Sequence, residues 1–320
     1  MNFRFIYYML IGAFLFGSCD NRGNEKVLYI NSYHSGYPPS DAVQDEIISI
    51  LTANNIDLEI FYLDSKRNEN NEFIRKKTDS IVFLVKGFKP DVIIASDDNA
   101  IKYVIEPWYT DGSVPVVFCG VNWSADQYDL PKEYITGMLE TLALRECIEL
   151  AMEKTKSLSK IAILSENSLS ERNNTSLLDT LYRNMGLEPL YMLVDDFDQW
   201  KQSFVEAGNI TDIIYLPTNG AIKDWDDEEA RSFVSENIQT PVFSCDDFMM
   251  EFCSFGLTKV PAEQGEWAAH TALKIIKGKS PGDIAVTKNS KWQSWINPGL
   301  MEKTEMIPTK EWLDTSIIVE

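Results

Sequence analysis

Short apolar runs alternate with helix-periodic segments along nearly the whole of this 320-residue chain, and that alternation constrains its fold more than any other feature. Residues 26–30 form a short apolar run, followed by Val43, Ile47, Ile50 and Leu51 at helical spacing. Ile56, Leu58, Ile60 and Tyr62 then alternate as a strand does. A helix through Phe73, Ile74, Ile81 and Val85 is stopped by Gly87 and Pro90. Residues 92–95 and 114–118 read as strands around a helix at 99–108. The scheme then repeats. Residues 160–164, 190–194, 212–216 and 241–244 read as strands, with helices at 177–185, 198–207, 228–237 and 262–277. Strands separated by helices imply parallel sheets built from right-handed βαβ units. Two such series imply two doubly wound α/β domains, with the break at 135–140. The length agrees, since about 150 residues per domain is an ordinary share.

The N-terminus has a different character. Arg4 precedes an apolar run from Phe5 to Phe16, and Gly17, Ser18 and Cys19 follow at once. A charged start, an apolar run too short for a normal membrane span and small residues before the cut describe a secretory signal over 1–18. A cysteine directly after the small residues resembles a lipobox, so Cys19 is the expected lipidation site and 19–25 a polar tether. The expected location is extracytoplasmic, with the chain held to a bacterial membrane by lipid. Removing the leader takes only Arg4 from 29 basic residues that face 49 acidic ones. So acidic a chain is excluded from nucleic-acid binding, which needs clustered Lys and Arg. Cys119, Cys147, Cys245 and Cys253 match no zinc spacing, and their pairing cannot be read from sequence. Cys119 and Cys245 close strands and read as small buried residues.

In open parallel sheets, ligands bind beyond the carboxyl ends of the strands. The residues there are small and polar in both halves. Ser32, Tyr33, His34 and Tyr37 follow the first strand. Ser96, Asp97 and Asn99 follow the third, and Gly120 and Asn122 the fourth. In the second half Ser165, Asn167, Asn219 and Asp246 hold equivalent places. Many of these also suit helix N-caps, Asp97 in particular. Their recurrence in both halves is what favours a shared ligand site, with Tyr33, Tyr37, Trp123 and Phe248 near enough to pack a ligand. An enzyme is the weaker reading. His34 alone makes neither a triad nor a metal site, His270 lies within a long helix, and no phosphate-cradling glycine motif occurs. No cofactor or metal is expected.

The segments 29–38, 89–100 and 114–122, beginning Tyr29-Ile30-Asn31-Ser32-Tyr33-His34, Lys89-Pro90-Asp91 and Val114-Pro115-Val116, together carry a family resemblance. They resemble three signatures of the tryptophan/tyrosine-binder-like group of ABC-transporter substrate-binding proteins. Thr136-Gly137-Met138-Leu139-Glu140 resembles the point where such chains cross to the second domain. The resemblance implies a type I periplasmic-binding fold, two flavodoxin-like domains joined by three crossovers that close on a ligand. It places the first domain at 26–138, completed by about 250–282, and the second at 139–249, completed by about 283–320. Two departures touch the expected pocket rim: Pro39 replaces an aromatic, and the stretch after Asp247 carries few glycines. The expected function is capture of a small polar or zwitterionic solute, an amino acid among them, for an ABC permease. The alternatives are a lipoprotein that senses a ligand for a histidine kinase and, less favoured, an enzyme.

Overall fold

The apolar run at 27–30 becomes the centre of a sheet because both of its faces are covered. The computed structural model describes residues 24–320 apart from 69, 156 and 305, so the leader and Cys19 lie outside the described residues. In β1 (Lys26–Asn31), Leu28 and Ile30 enter the core on one face of the sheet, and Val27 and Tyr29 enter the core on the other. A strand buried on both faces gains nothing from polar alternation, which is why it reads as a continuous apolar run.

The first domain continues through α1 (Pro38–Ala53), β2 (Asp57–Tyr62), α2 (Asn71–Phe88) and β3 (Val92–Ser96). A helical segment follows, composed of α3 (Asp97–Ala100), a wider turn at Ile101–Ile105 and α4 (Glu106–Trp108). It leads to β4 (Val116–Asn122) and β5 (Ile135–Glu140). The second domain holds α5 (Leu144–Lys154), β6 (Lys160–Glu166), α6 (Leu169–Asn184), β7 (Glu188–Val194) and α7 (Phe197–Ile210). It goes on through β8 (Ile213–Tyr215), α8 (Asp227–Asn237), β9 (Val242–Ser244) and β10 (Phe255–Lys259). The chain returns to the first domain for α9 (Ala262–Ile276) and β11 (Thr287–Lys288). It ends on the second with β12 (Trp292–Ile296), α10 (Pro298–Lys303), α11 (Lys310–Thr315) and β13 (Ile317–Ile318).

The first sheet has six strands in the order β11-β5-β4-β3-β1-β2, and the second has seven in the order β13-β12-β10-β9-β8-β6-β7. All pairings are parallel except that of β10 with β12. The architecture is the expected pair of doubly wound α/β domains.

The break expected near 135–140 falls on β5, paired along its length with β4, from whose end the chain crosses to the second domain. Two sequence expectations are corrected. Residues 255–259 form β10 in the second sheet, so the second domain runs to 259 and the completion of the first starts beyond it, not at about 250. β11 pairs with β5, so the first domain's completion extends past 282 to 288. β11 is a two-residue edge strand, and in β10, which lies between β9 and β12, Gly256, Thr258 and Lys259 interrupt the apolar run.

Local chemistry sets the element ends. The Asn70 side chain accepts from the backbone N–H of Glu72 (2.8 Å) and Phe73 (3.3 Å), capping α2. α9 lies directly on α1, and the contact needs a missing side chain. A Cβ on Gly265 would stand 2.1 Å from the Val43 carbonyl oxygen.

The three crossovers at the hinge are tied to one another. The Glu263 carboxylate, at the start of α9, accepts from the Ser290 backbone N–H and hydroxyl (each 3.0 Å) and from Lys291 N–H (2.8 Å). The Asn289 side chain brackets Thr141, accepting from its N–H at 2.8 Å and donating to its carbonyl at 3.2 Å.

Candidate functional site

A cavity of about 200 Å³ opens between the domains, next to these crossovers. One wall is aromatic and apolar. Tyr33 follows β1 and stacks on Tyr37, with ring centroids 4.6 Å apart at an interplanar angle of 16°. Pro39, Ser40 and Val43 continue this wall along the first turns of α1. Ser96 and Asp97 come from the end of β3, and Cys119 and Gly120 from β4. The second domain supplies Asp246, Phe248, Thr258 and Lys259, and Glu140 stands at the end of β5, where the chain leaves the first domain.

Backbone conformation brings Asp97 and Gly120 together. Both have positive φ, 72° and 69°, and a Cβ on Gly120 would lie 3.6 Å from the Asp97 nitrogen. Asp and Asn tolerate this left-handed region better than most residues, and glycine best of all. The Asp97 carboxylate accepts from the Asn99 N–H (3.3 Å) and pairs with the Lys66 ammonium at 2.8 Å. Lys66 also stands 5.2 Å from the centre of the Tyr33 ring. Gly120 N–H donates to the Gln264 side-chain oxygen (3.0 Å), and the Gln264 amide donates to the Leu139 carbonyl (3.1 Å). One side chain of α9 therefore staples the ends of β4 and β5.

The opposite wall is charged. The Lys259 ammonium pairs with the Glu140 carboxylate. Burial works against the charge on Lys259, but Glu140 and Asp246 more than reverse this and hold its pKa above the usual lysine value. Burial pushes the Asp246 carboxyl up to about 6; Lys259 opposes the shift, and Asp247, Glu140 and Glu171 add to it. Burial likewise raises the Tyr33 hydroxyl, helped by Asp97 and Tyr37, and keeps the Cys119 and Cys245 thiols protonated.

Of the residues singled out from the sequence, Tyr33, Tyr37, Ser96, Asp97, Gly120 and Asp246 line the cavity. The others lie outside its lining. The Ser32 hydroxyl donates to the Ser96 carbonyl (2.7 Å) and accepts from Ala100 N–H (2.8 Å), locking β1 to the turn after β3. Asn99 donates to the Ser65 hydroxyl (3.0 Å), and Asn122 donates to Asp98 at 2.6 Å. His34 turns toward Asp64, with Nδ1 3.8 Å from the nearer carboxylate oxygen. In the second domain Ser165 donates to Glu171 (2.9 Å) and Asn167 to Asp195 (3.0 Å), and Asn219 accepts from Ile222 N–H (3.0 Å) with its carbonyl.

The sheet order explains the split. β9 and β10 lie beside the crossovers, so Asp246 and Lys259 meet the first domain. β8 and β6 lie one and two strands farther along, and their loops stay outside the cavity. Glu140, Lys259 and Gln264 were missed. For Glu140 and Lys259 the available signal was their place at the end of a crossover strand. Among the described residues no group of His, Cys, Asp and Glu is arranged to hold a metal, and no helix is long and apolar enough to cross a membrane.

The fold recurs in solved structures. The ligand-free, open structure of CD0873, a substrate binding protein with adhesive properties from Clostridium difficile, superposes with a TM-score of 0.72 at 15% identity, covering 92% of this chain and 99% of that one. An ABC domain in complex with L-Trp from Streptococcus pneumonia gives a TM-score of 0.58 at 16% identity, with 93% and 100% covered. A periplasmic ribose ABC transporter structure from Conexibacter woesei also gives 0.58, at 14% identity, with 92% and 98% covered. At such identities the likeness concerns the fold, which is that of type I periplasmic binding proteins. No curated protein matches the sequence. A family model described as ABC transporter substrate binding protein matches residues 41–316. That match runs from within α1 through α11, and the chain therefore belongs to the ABC transporter substrate binding protein family.

Proposed function

We propose that this chain is an extracytoplasmic lipoprotein that captures a small polar solute between its two domains and hands it to an ABC permease. The observation that carries this reading is the cavity itself. Strand ends from both sheets converge on it at the hinge, and it joins stacked aromatic rings to enclosed charged groups, the composition of a small-molecule site. Amino acids fall within the proposed class, and the L-Trp complex from Streptococcus pneumonia is a binding protein of the same fold. The role is binding without turnover. Both thiols at the cavity are held protonated by burial, so neither is a ready nucleophile.

Capture requires closure about the crossovers, a hinge motion in which a few connecting residues absorb the change. The test begins with mass spectrometry of solute released from the purified protein. Added back to stripped protein, that solute is expected to raise the melting temperature by mass action and to reduce the radius of gyration in solution scattering. A released solute that changes neither quantity would refute the reading.

A further inference from the structure

The cavity is rich in carboxylates and holds a single ammonium among its lining groups. Four carboxylates line it, those of Asp97, Glu140, Asp246 and Asp247, against one ammonium, that of Lys259. Lys259 is already paired with Glu140, and the nearby Lys66 with Asp97. Several backbone N–H groups that could hold an anion are removed or engaged. Pro38 and Pro39 take two donors from the first turn of α1, and α9 begins directly after Pro261. Gly120 N–H is bonded to Gln264, Tyr33 N–H to Asn31, Asp246 N–H to Ser244 and Phe248 N–H to Asp247. The Ser40 hydroxyl donates to Asn31, and Ser96 is paired with the Tyr29 hydroxyl. The Asp246 carboxylate, in contrast, faces the cavity with no hydrogen bond from the described residues.

Resting on the reading of the cleft as a solute site, we propose that it selects an organic cation, an amine on an aromatic or apolar body without a carboxylate of its own, over a zwitterionic amino acid. The ammonium group takes the unpartnered Asp246 carboxylate, with the outer oxygens of Glu140 and Asp97 nearby. The body lies along Tyr33, Tyr37 and Phe248, whose ring faces also attract positive charge. A ligand carboxylate entering the same space meets four like charges and must share the one lining ammonium with Glu140. Like-charge juxtaposition of this kind disfavours the wrong ligand.

Binding should also depend on pH. Asp246 is faced by Lys259 from β10, by its neighbour Asp247, by Glu140 from β5 and by Glu171 from α6. A cation must displace any proton that Asp246 carries, so affinity falls as pH drops through about 6.

The experiment uses matched pairs in calorimetric titration of the stripped protein: phenethylamine with L-phenylalanine, and tryptamine with L-tryptophan. Each pair differs by one carboxylate. Each amine is expected to bind about tenfold or more tightly than its amino acid at pH 7.5, a difference of ~1.4 kcal/mol or greater. Amine affinity is expected to weaken at pH 5, and Asp246→Asn to reduce it by about tenfold or more at pH 7.5 while the apo melting temperature is kept or raised. Amino acids that bind as tightly as the amines, or no binding by either amine, would overturn the proposal. The wild-type pairs decide this even if the variant fails to fold. Tight amino-acid binding would overturn the cation preference alone and leave the solute-binding reading standing. A released solute that neither stabilises nor compacts the protein would remove both.

Discussion

Asp246 is the residue at which fold stability and proposed binding pull in opposite directions. Its pKa in the folded chain, about 6, lies above the ordinary 3.8, chiefly because of burial. The folded state thus holds this proton more tightly than the unfolded chain does. The resulting stability is fully present below about pH 4 and is lost as pH rises through about 6. At roughly 1.4 kcal/mol per pH unit, the ionised carboxylate costs on the order of 3 kcal/mol at neutral pH. Asp246→Asn is therefore expected to stabilise the ligand-free protein by roughly 2–3 kcal/mol at pH 7.5 and hardly at all at pH 4. Urea denaturation at the two pH values checks it, and an equal change at both would contradict the assignment. A residue that weakens the empty protein and remains at the cavity mouth is what a binding site would retain. Strain at a site is commonly offset elsewhere in the fold.

At the scale of elements, the cleft depends on how closely α9 approaches α1. Both helices reach the cavity, α1 through Pro39 and Ser40 and α9 through Gln264, so their contact sets its width. Gly265→Ala would place a methyl group 2.1 Å from a backbone oxygen, which cannot swing aside as a side-chain tip can. The expected cost is about 1–3 kcal/mol, the usual penalty for overpacking, together with weaker ligand binding as Gln264 shifts from Gly120. Gly87, in α2, has nothing within 4 Å of an added Cβ. Gly87→Ala should stabilise by up to about 1 kcal/mol through helix propensity and leave binding unchanged. Denaturation midpoints of the two variants, one lowered and one raised, would separate packing from propensity.

At the scale of the whole molecule, the acidic chain would reach the proposed permease against its own charge. With 49 acidic residues against 29 basic ones it is repelled by anionic membrane surfaces, and the lipid expected on Cys19 would supply the attachment. Cys19→Ala is expected to move most of the protein from the membrane to the soluble fraction and to remove the lipid mass from its N-terminal peptide. Equal partitioning of the two forms, with no lipid on the wild type, would refute the anchor. The hinge belongs to this scale as well. The hydrogen bonds of Glu263 and Asn289 join all three crossovers, so the proposed closure would turn about one linked strap and not three independent ones.

The pattern of residues was sufficient, by itself, for the α/β class, the pair of domains and the strand ends that carry Tyr33, Tyr37, Ser96, Asp97, Gly120 and Asp246. Each of those inferences rests on local periodicity, which neighbouring residues impose on one another. It could not supply β10, whose mixed sequence is held as a strand between β9 and β12, or the two-residue β11, which depends on the partner that β5 offers. Nor could it separate Asp246, which reaches the cavity, from Ser165 and Asn167, whose side chains are taken up by other contacts, or from Asn219, which lies outside it. That distinction depends on which strand lies beside the crossovers. Glu140, Lys259 and Gln264 were hidden for the same reason. The order of strands in a sheet, and the meeting of residues more than 100 positions apart, are decided only when the chain packs.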